Sequence, residues 1–135
     1  MNATTPEQFA RFVDLCEIGY NLQLRELFVQ EARAFLHRLA EDLRLTPGSC
    51  RFHFERGGVG SSGEAILQHP RFCMRLDADH PSPEGKWFAW WEGDGRDHGP
   101  GGRGHAVYFH ELRGDGYGRL VAALREAIEI PRIAA

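Results

Sequence analysis

Apolar residues recur every three or four positions at both ends of the 135-residue chain and every second position between them. In "TTPEQFARFVDLCEI" Thr5 reads as an N-cap, Pro6 as the first helical residue and Gln8 as the partner of a capping box. Such side chains satisfy the amides that a helix start leaves without acceptors. Phe9, Phe12, Val13 and Cys16 then share one helical face. A single helix running on to residue 45 would be about 60 Å long, too long for a compact domain of this length. The chain is therefore expected to break or bend at Gly19, Tyr20 and Asn21. A second helix follows, with Leu24, Leu27, Phe28, Phe35, Leu39 and Leu43 along its apolar stripe and Arg25, Glu26, Arg33, Arg38 and Glu41 away from it. Thr46-Pro47-Gly48 stops it, and His37, beside the stripe, reads as a packing or surface histidine.

From Cys50 the period changes to two, as strands require. Cys50, Phe52 and Phe54 face one way; Arg51, His53 and Glu55 face the other. Glycines 57, 58, 60 and 63 lead into the short strand "EAILQ". In "RFCMRLDAD", Phe72, Met74, Leu76 and Ala78 oppose Cys73, Arg75, Asp77 and Asp79. "KWFAWWE" and "HAVYFHEL" complete the series, and "GYGRLVAALREAIEI" returns to helical spacing through Leu120, Val121, Leu124 and Ile128 until Pro131. No helix-length segment separates the strands, so they form a meander rather than crossover units. The expected fold is one α+β domain spanning the chain. It has two N-terminal helices (or one bent helix), an antiparallel four- or five-stranded meander, and a C-terminal helix packed on the sheet.

The strand "WFAWW" carries large aromatics in both phases: Trp87, Ala89 and Trp91 in one, Phe88 and Trp90 in the other. Either helices cover it on both sides or one face awaits a partner. The phases of the neighbouring strands assign to the open face Arg51, His53, Glu55, Arg75, Asp77 and Asp79, joined by Phe88, Trp90, Tyr108 and His110. Aromatic rings beside arginine are the composition of protein-binding surfaces.

Composition narrows the class. The apolar share of 42% and charged share of 26% belong to a folded chain. A net charge of −3 supplies no long-range field for phosphate backbones. Lys86 is the sole lysine among the 16 basic residues, an arginine excess read as the coding bias of a GC-rich bacterial gene. "MNATTPEQFARF" has no charged segment followed by an apolar one, and no apolar run reaches about 18 residues, so neither export nor membrane insertion is expected. Three cysteines without a CxxC pair fit reduced thiols, and the expected compartment is the cytoplasm.

Candidate chemistry is sparse. The loop "GDGRDHGPGGRG", residues 93–104, lacks a phosphate-loop pattern and a following helix, so it reads as a long hairpin connection that can serve as a binding loop or lid. His98, His105 and His110 lie near Asp94, Asp97 and Glu111, but His105 and His110 point to opposite sides of a regular strand. His69 with Cys73, and His53 with Cys50, are nucleophile pairs on paper without a recognisable signature. Arg113-Gly114-Asp115 is a turn before the last helix, with Asp115 as its cap.

The expected function is a small protein-binding module of inhibitor, immunity or chaperone/adaptor type, acting by steric occlusion. Phe88, Trp90 and Tyr108 are its anchors and Arg75 with Asp77 its orienting charges; Arg51, His53 and His110 complete the surface. Its partner is another protein, self-association through the tryptophan strand into a homodimer is expected, and no cofactor, metal or membrane is implied. One alternative is a metal-dependent hydrolase using His53, Glu55, Asp77 and Asp79. The other is a binder of single-stranded nucleic acid, which the acids of the sheet face disfavour.

Overall fold

The computed structural model describes residues 5–16, 18, 21–57, 63–78, 82–93 and 104–129. Thr5 and Gln8 form the capping box: the Thr5 hydroxyl accepts from the Gln8 amide at 3.1 Å, and the Gln8 side chain accepts from the Thr5 amide at 3.0 Å. Helix α1, Pro6–Leu15, starts there. Helix α2, Leu22–Asp42, starts at Asn21, whose Oδ1 accepts from the Leu24 amide at 3.0 Å. The residue expected to break the helix thus also caps the next one.

The far end of α2 closes with Arg44 in the left-handed region at φ 55°. Its amide donates to the Glu41 carbonyl at 2.9 Å, and the Leu45 amide donates to the Ala40 carbonyl at 3.0 Å. This pair of bonds is a Schellman closure with an arginine where glycine is usual. Leu45 then packs against the core, and Pro47 with Gly48, at φ 87°, turns the chain.

Five strands follow: β1 Arg51–Glu55, β2 Glu64–His69, β3 Phe72–Asp77, β4 Trp87–Glu92 and β5 Gly104–Tyr108. They form one antiparallel sheet in the order β1-β2-β3-β4-β5. A 3₁₀ turn, Phe109–Leu112, leads to helix α3, Gly116–Glu129. The fold is α+β, with three helices and a five-stranded antiparallel meander.

The core lies between the helices and one sheet face. Phe9, Val13, Phe28, Phe35, Leu36 and Leu39 meet Ala65, Leu67, Phe72, Met74 and Leu76, and Leu120 and Leu124 of α3 close the end. Phe9 is the hub, with ring centroids at 4.9 Å from Phe35 and 5.8 Å from Phe109. The buried stripe of α2 runs through Phe28, Ala32, Phe35, Leu36 and Leu39. It is rotated from the expected one: Arg25, expected to lie away from the stripe, is buried, and Leu27, expected on it, is exposed. His37 is a packing histidine, stacked on Phe52 at 4.1 Å. Lys86 ties the start of β4 to α1, its Nζ donating to the carbonyls of Val13 at 3.0 Å and Cys16 at 2.6 Å. A cation there satisfies carbonyls at the negative end of the helix dipole. Among the described residues no helix is long and apolar enough to cross a membrane.

Candidate partner-binding surface

Because successive strand residues alternate sides, the register fixes what the sheet presents away from the core. One row across it reads Arg51, Gln68, Cys73, Trp91 and Gly104. The next reads His53, Ile66, Arg75, Ala89 and Ala106. In the third, Glu55, Glu64 and Asp77 lie opposite one another across β1, β2 and β3, and Trp87 lies opposite Tyr108 across β4 and β5. Helices and the turn after β5 pack on the other face. His37 meets Phe52, the Arg33 guanidinium lies 4.6 Å from the Phe54 ring, and Phe109 meets Phe88.

The open face therefore divides in two. Toward β1 it is polar, with Arg51, His53 and Glu55 exposed and Arg75 ion-paired to Glu64. Toward β5 it is a shallow trough. Ala89 and Ala106 form its floor, Trp87 with Tyr108 one wall and Trp91 the other. The two tryptophans are about 13 Å apart along the strand, and both are half-buried. Trp91 lies over Gly104, where an added Cβ would stand 3.0 Å from the indole. Cys73, between Gln68 and Trp91 in its row, is itself buried.

Five of the expected site residues, Arg51, His53, Arg75, Asp77 and Tyr108, lie on this face. Phe88 and Trp90 do not: they are 0% and 4% exposed. Phe88 packs against Phe109 at 5.0 Å, and His105 stacks on Trp90 at 4.1 Å. The expected phase of β4 is thus inverted. Indole chemistry gives the reason, since each buried indole N–H needs an acceptor. Turning Phe88 and Trp90 inward buries one indole, whereas the opposite phase would bury two.

His110 is also displaced. The alternation of "HAVYFHEL" suggests one strand, but the chain leaves the sheet at Tyr108 because the Glu111 carboxylate accepts from the Tyr108 amide at 3.0 Å and closes a turn. His110 is exposed on that turn, hydrogen-bonded to the Glu84 carbonyl at 3.0 Å and stacked with Tyr108 at 5.5 Å. Trp87 and Trp91, assigned by sequence to the core side, are the aromatic residues that the open face gains. The expected loop at 93–104 and Asp79, His98, Asp94 and Asp97 fall outside the described residues, apart from the loop's ends at Gly93 and Gly104.

Nucleophilic chemistry finds no support in the geometry. His69 is opposite Phe72 and Cys73 opposite Gln68, so histidine and thiol lie on opposite faces. The His69 Nδ1 instead accepts from the Arg71 amide at 3.0 Å. Cys50 and His53 likewise differ by an odd number of positions, and burial pushes the Cys50 thiol up, away from the thiolate form that attack requires.

One cluster has the donors for a metal. A ligand atom from each of His53, Glu55 and Glu64 lies within 4.8 Å of the other two. Glu64, absent from the sequence-derived set, takes the place expected of Asp77, and its ion pair with Arg75 puts a competing cation beside the site. The remaining contacts are exposed, with the His53 and Glu55 side chains 57% and 59% accessible.

No protein-family model, curated protein or solved structure matches this chain. The functional reading accordingly stands on the geometry of the sheet.

Proposed function

We propose that the protein is a non-catalytic protein-binding module of the inhibitor, immunity or adaptor kind, which occludes or holds its partner through the open face of the sheet. The observation that carries this reading is the trough of β4 and β5: half-buried aromatic walls around an alanine floor, on the face opposite the helical core. Aromatic anchors beside a flat apolar floor concentrate binding energy, and the charged half of the face supplies a polar rim. Glu55, Glu64 and Asp77 outnumber Arg51 and Arg75 there, so the favoured partner carries apolar side chains flanked by arginine or lysine. The same acids disfavour a phosphate backbone. We place the protein in the cytoplasm, in keeping with three cysteines that form no disulfide.

The test is capture of proteins from the native cell by the immobilised chain, compared with the double variant Trp87→Ala/Trp91→Ala and with Ala89→Lys, which charges the floor and leaves both indoles in place. The expected result is one specific protein held by the wild type and lost, by tenfold or more, with both variants while their melting transitions remain cooperative. Equal capture by all three would remove this surface from consideration.

A second reading, a metal-dependent hydrolase, draws on the convergence of His53, Glu55 and Glu64. On the binding reading a zinc titration leaves the melting temperature unchanged. Saturable binding of one zinc ion that disappears in Glu64→Gln would favour the hydrolase instead.

A further inference from the structure

The two edges of the sheet differ in a way that bears on self-association. β1 exposes Arg51, His53 and Glu55, and ionised side chains of this kind guard an edge against pairing with another chain. β5, Gly104-His105-Ala106-Val107-Tyr108, carries no Asp, Glu, Lys or Arg. β4, the strand from which self-association was expected, is hydrogen-bonded on both sides, to β3 and β5, so it has no edge to offer.

The backbone of β5 shows which groups remain available. The Phe109 amide donates to the Lys86 carbonyl at 2.9 Å. Antiparallel pairs alternate between bonded and non-bonded, so His105 and Val107 also turn their amides and carbonyls toward β4. Gly104 and Ala106 turn theirs outward, while the amide and carbonyl of Tyr108, in the same phase, are taken up by the 3₁₀ turn. The bond from the Tyr108 amide to Glu111 confirms this phase and closes one end of the edge. Gly104 and Ala106 are exposed.

We infer that β5 pairs antiparallel with β5 of a second copy, about a two-fold axis at Ala106, to give a continuous ten-stranded sheet. In this register Ala106 faces its own symmetry mate and exchanges two backbone bonds with it. The Tyr108 carbonyl heads the 3₁₀ turn, so the Ala106 pair carries the backbone bonding of the seam. The side chains complement one another in size. Tyr108 from one copy falls opposite Gly104 of the other, a position with no side chain, beside the Trp91 ring that lies over it. On the core side His105 falls opposite Val107. The seam buries no Asp, Glu, Lys or Arg of β5, whereas pairing through β1 would desolvate Arg51 and Glu55. The axis is perpendicular to the sheet, so both helical layers stay on one side and the two troughs join into one face. Failure of this inference leaves the single-copy trough intact, because the trough is complete within one chain.

The test uses the self-facing position. Ala106→Glu and Ala106→Lys each place like charges directly opposite one another across the axis, and an equimolar mixture places opposite charges there. Ala106→Pro removes an outward amide that the ladder with β4 does not use. Sedimentation velocity across a concentration series should give twice the chain mass for the wild type, the single-chain mass for each of the three variants, and a return to twice the mass for the Glu/Lys mixture. Circular dichroism melts identify any variant that fails to fold, and the two charged variants, exposed in the monomer, serve independently of the proline. A wild type that sediments as a single chain throughout, or variants that remain dimeric, would overturn the inference. So would folded charged variants that fail to recombine on mixing.

Discussion

At the scale of single residues, contacts outside the helical and strand periods decide what sequence patterning leaves open. Lys86 reaches carbonyls 73 and 70 positions away, and Gly116 is required because an added Cβ would stand 1.4 Å from the Glu111 carbonyl oxygen. Neither partner lies within a helical or strand period, so no local pattern could announce it. His69 has a consequence that can be measured. Burial, and secondarily the Arg71 charge, hold its pKa below the ordinary value. Above about pH 6.5 both folded and unfolded chains carry it neutral. As the pH falls through that value the unfolded chain takes up a proton that the folded chain resists, so stability declines until the lower, folded value is reached. The wild type should therefore lose melting temperature on acidification across this window. His69→Asn, which keeps an acceptor for the Arg71 amide, should lose less; equal losses in the two proteins would contradict this role for His69.

At the scale of elements, helix starts were legible and the strand phase was only partly so. Thr5, Pro6 and Gln8 act over four residues, and the capping box that they spell is the one formed. β1 and β3 alternate with one mainly apolar phase each, and their core faces follow the pattern; β2 carries Ile66 in its outward phase. β4 is apolar in both phases, and period alone cannot orient it; counting indole N–H groups is the signal that would have turned Phe88 and Trp90 inward. The end of β5 was missed for a related reason, since Phe109 and Leu112 suit both a continued strand and a turn into the core. The Schellman closure of α2 offers a stability test. Arg44 at φ 55° carries the steric cost that a Cβ meets in left-handed backbone, so Arg44→Gly should raise stability by about 0.5–1 kcal/mol, read from chemical denaturation at constant slope. A fall in stability would show that the arginine side chain contributes more than its backbone costs.

At the scale of the whole molecule, the fold uses one sheet face for its core and leaves the other as a graded surface, acidic and charged at β1–β3 and aromatic at β4–β5. This division keeps the His53, Glu55 and Glu64 cluster on the β1–β2 half and sets two tryptophans around an alanine floor on the β4–β5 half. Of the residues expected on one sheet face, Arg51, His53, Arg75, Asp77 and Tyr108 share that face, whereas Phe88 and Trp90, which depend on the phase of β4, turn to the other. The charge pattern follows the same geometry. Glu55, Glu64 and Asp77 face one another across three strands, an arrangement that like charges oppose and that the ion pair of Arg75 with Glu64 offsets in part.

The most direct measurement is site-specific photo-crosslinking in the native cell. A photoreactive phenylalanine analogue replaces Ala89 on the trough floor in one protein and the exposed Gln30 of α2 in another. The binding account expects a discrete adduct with a protein other than itself from position 89 and none from position 30. Adducts from position 30 alone would place the partner on the helical layer and contradict the account.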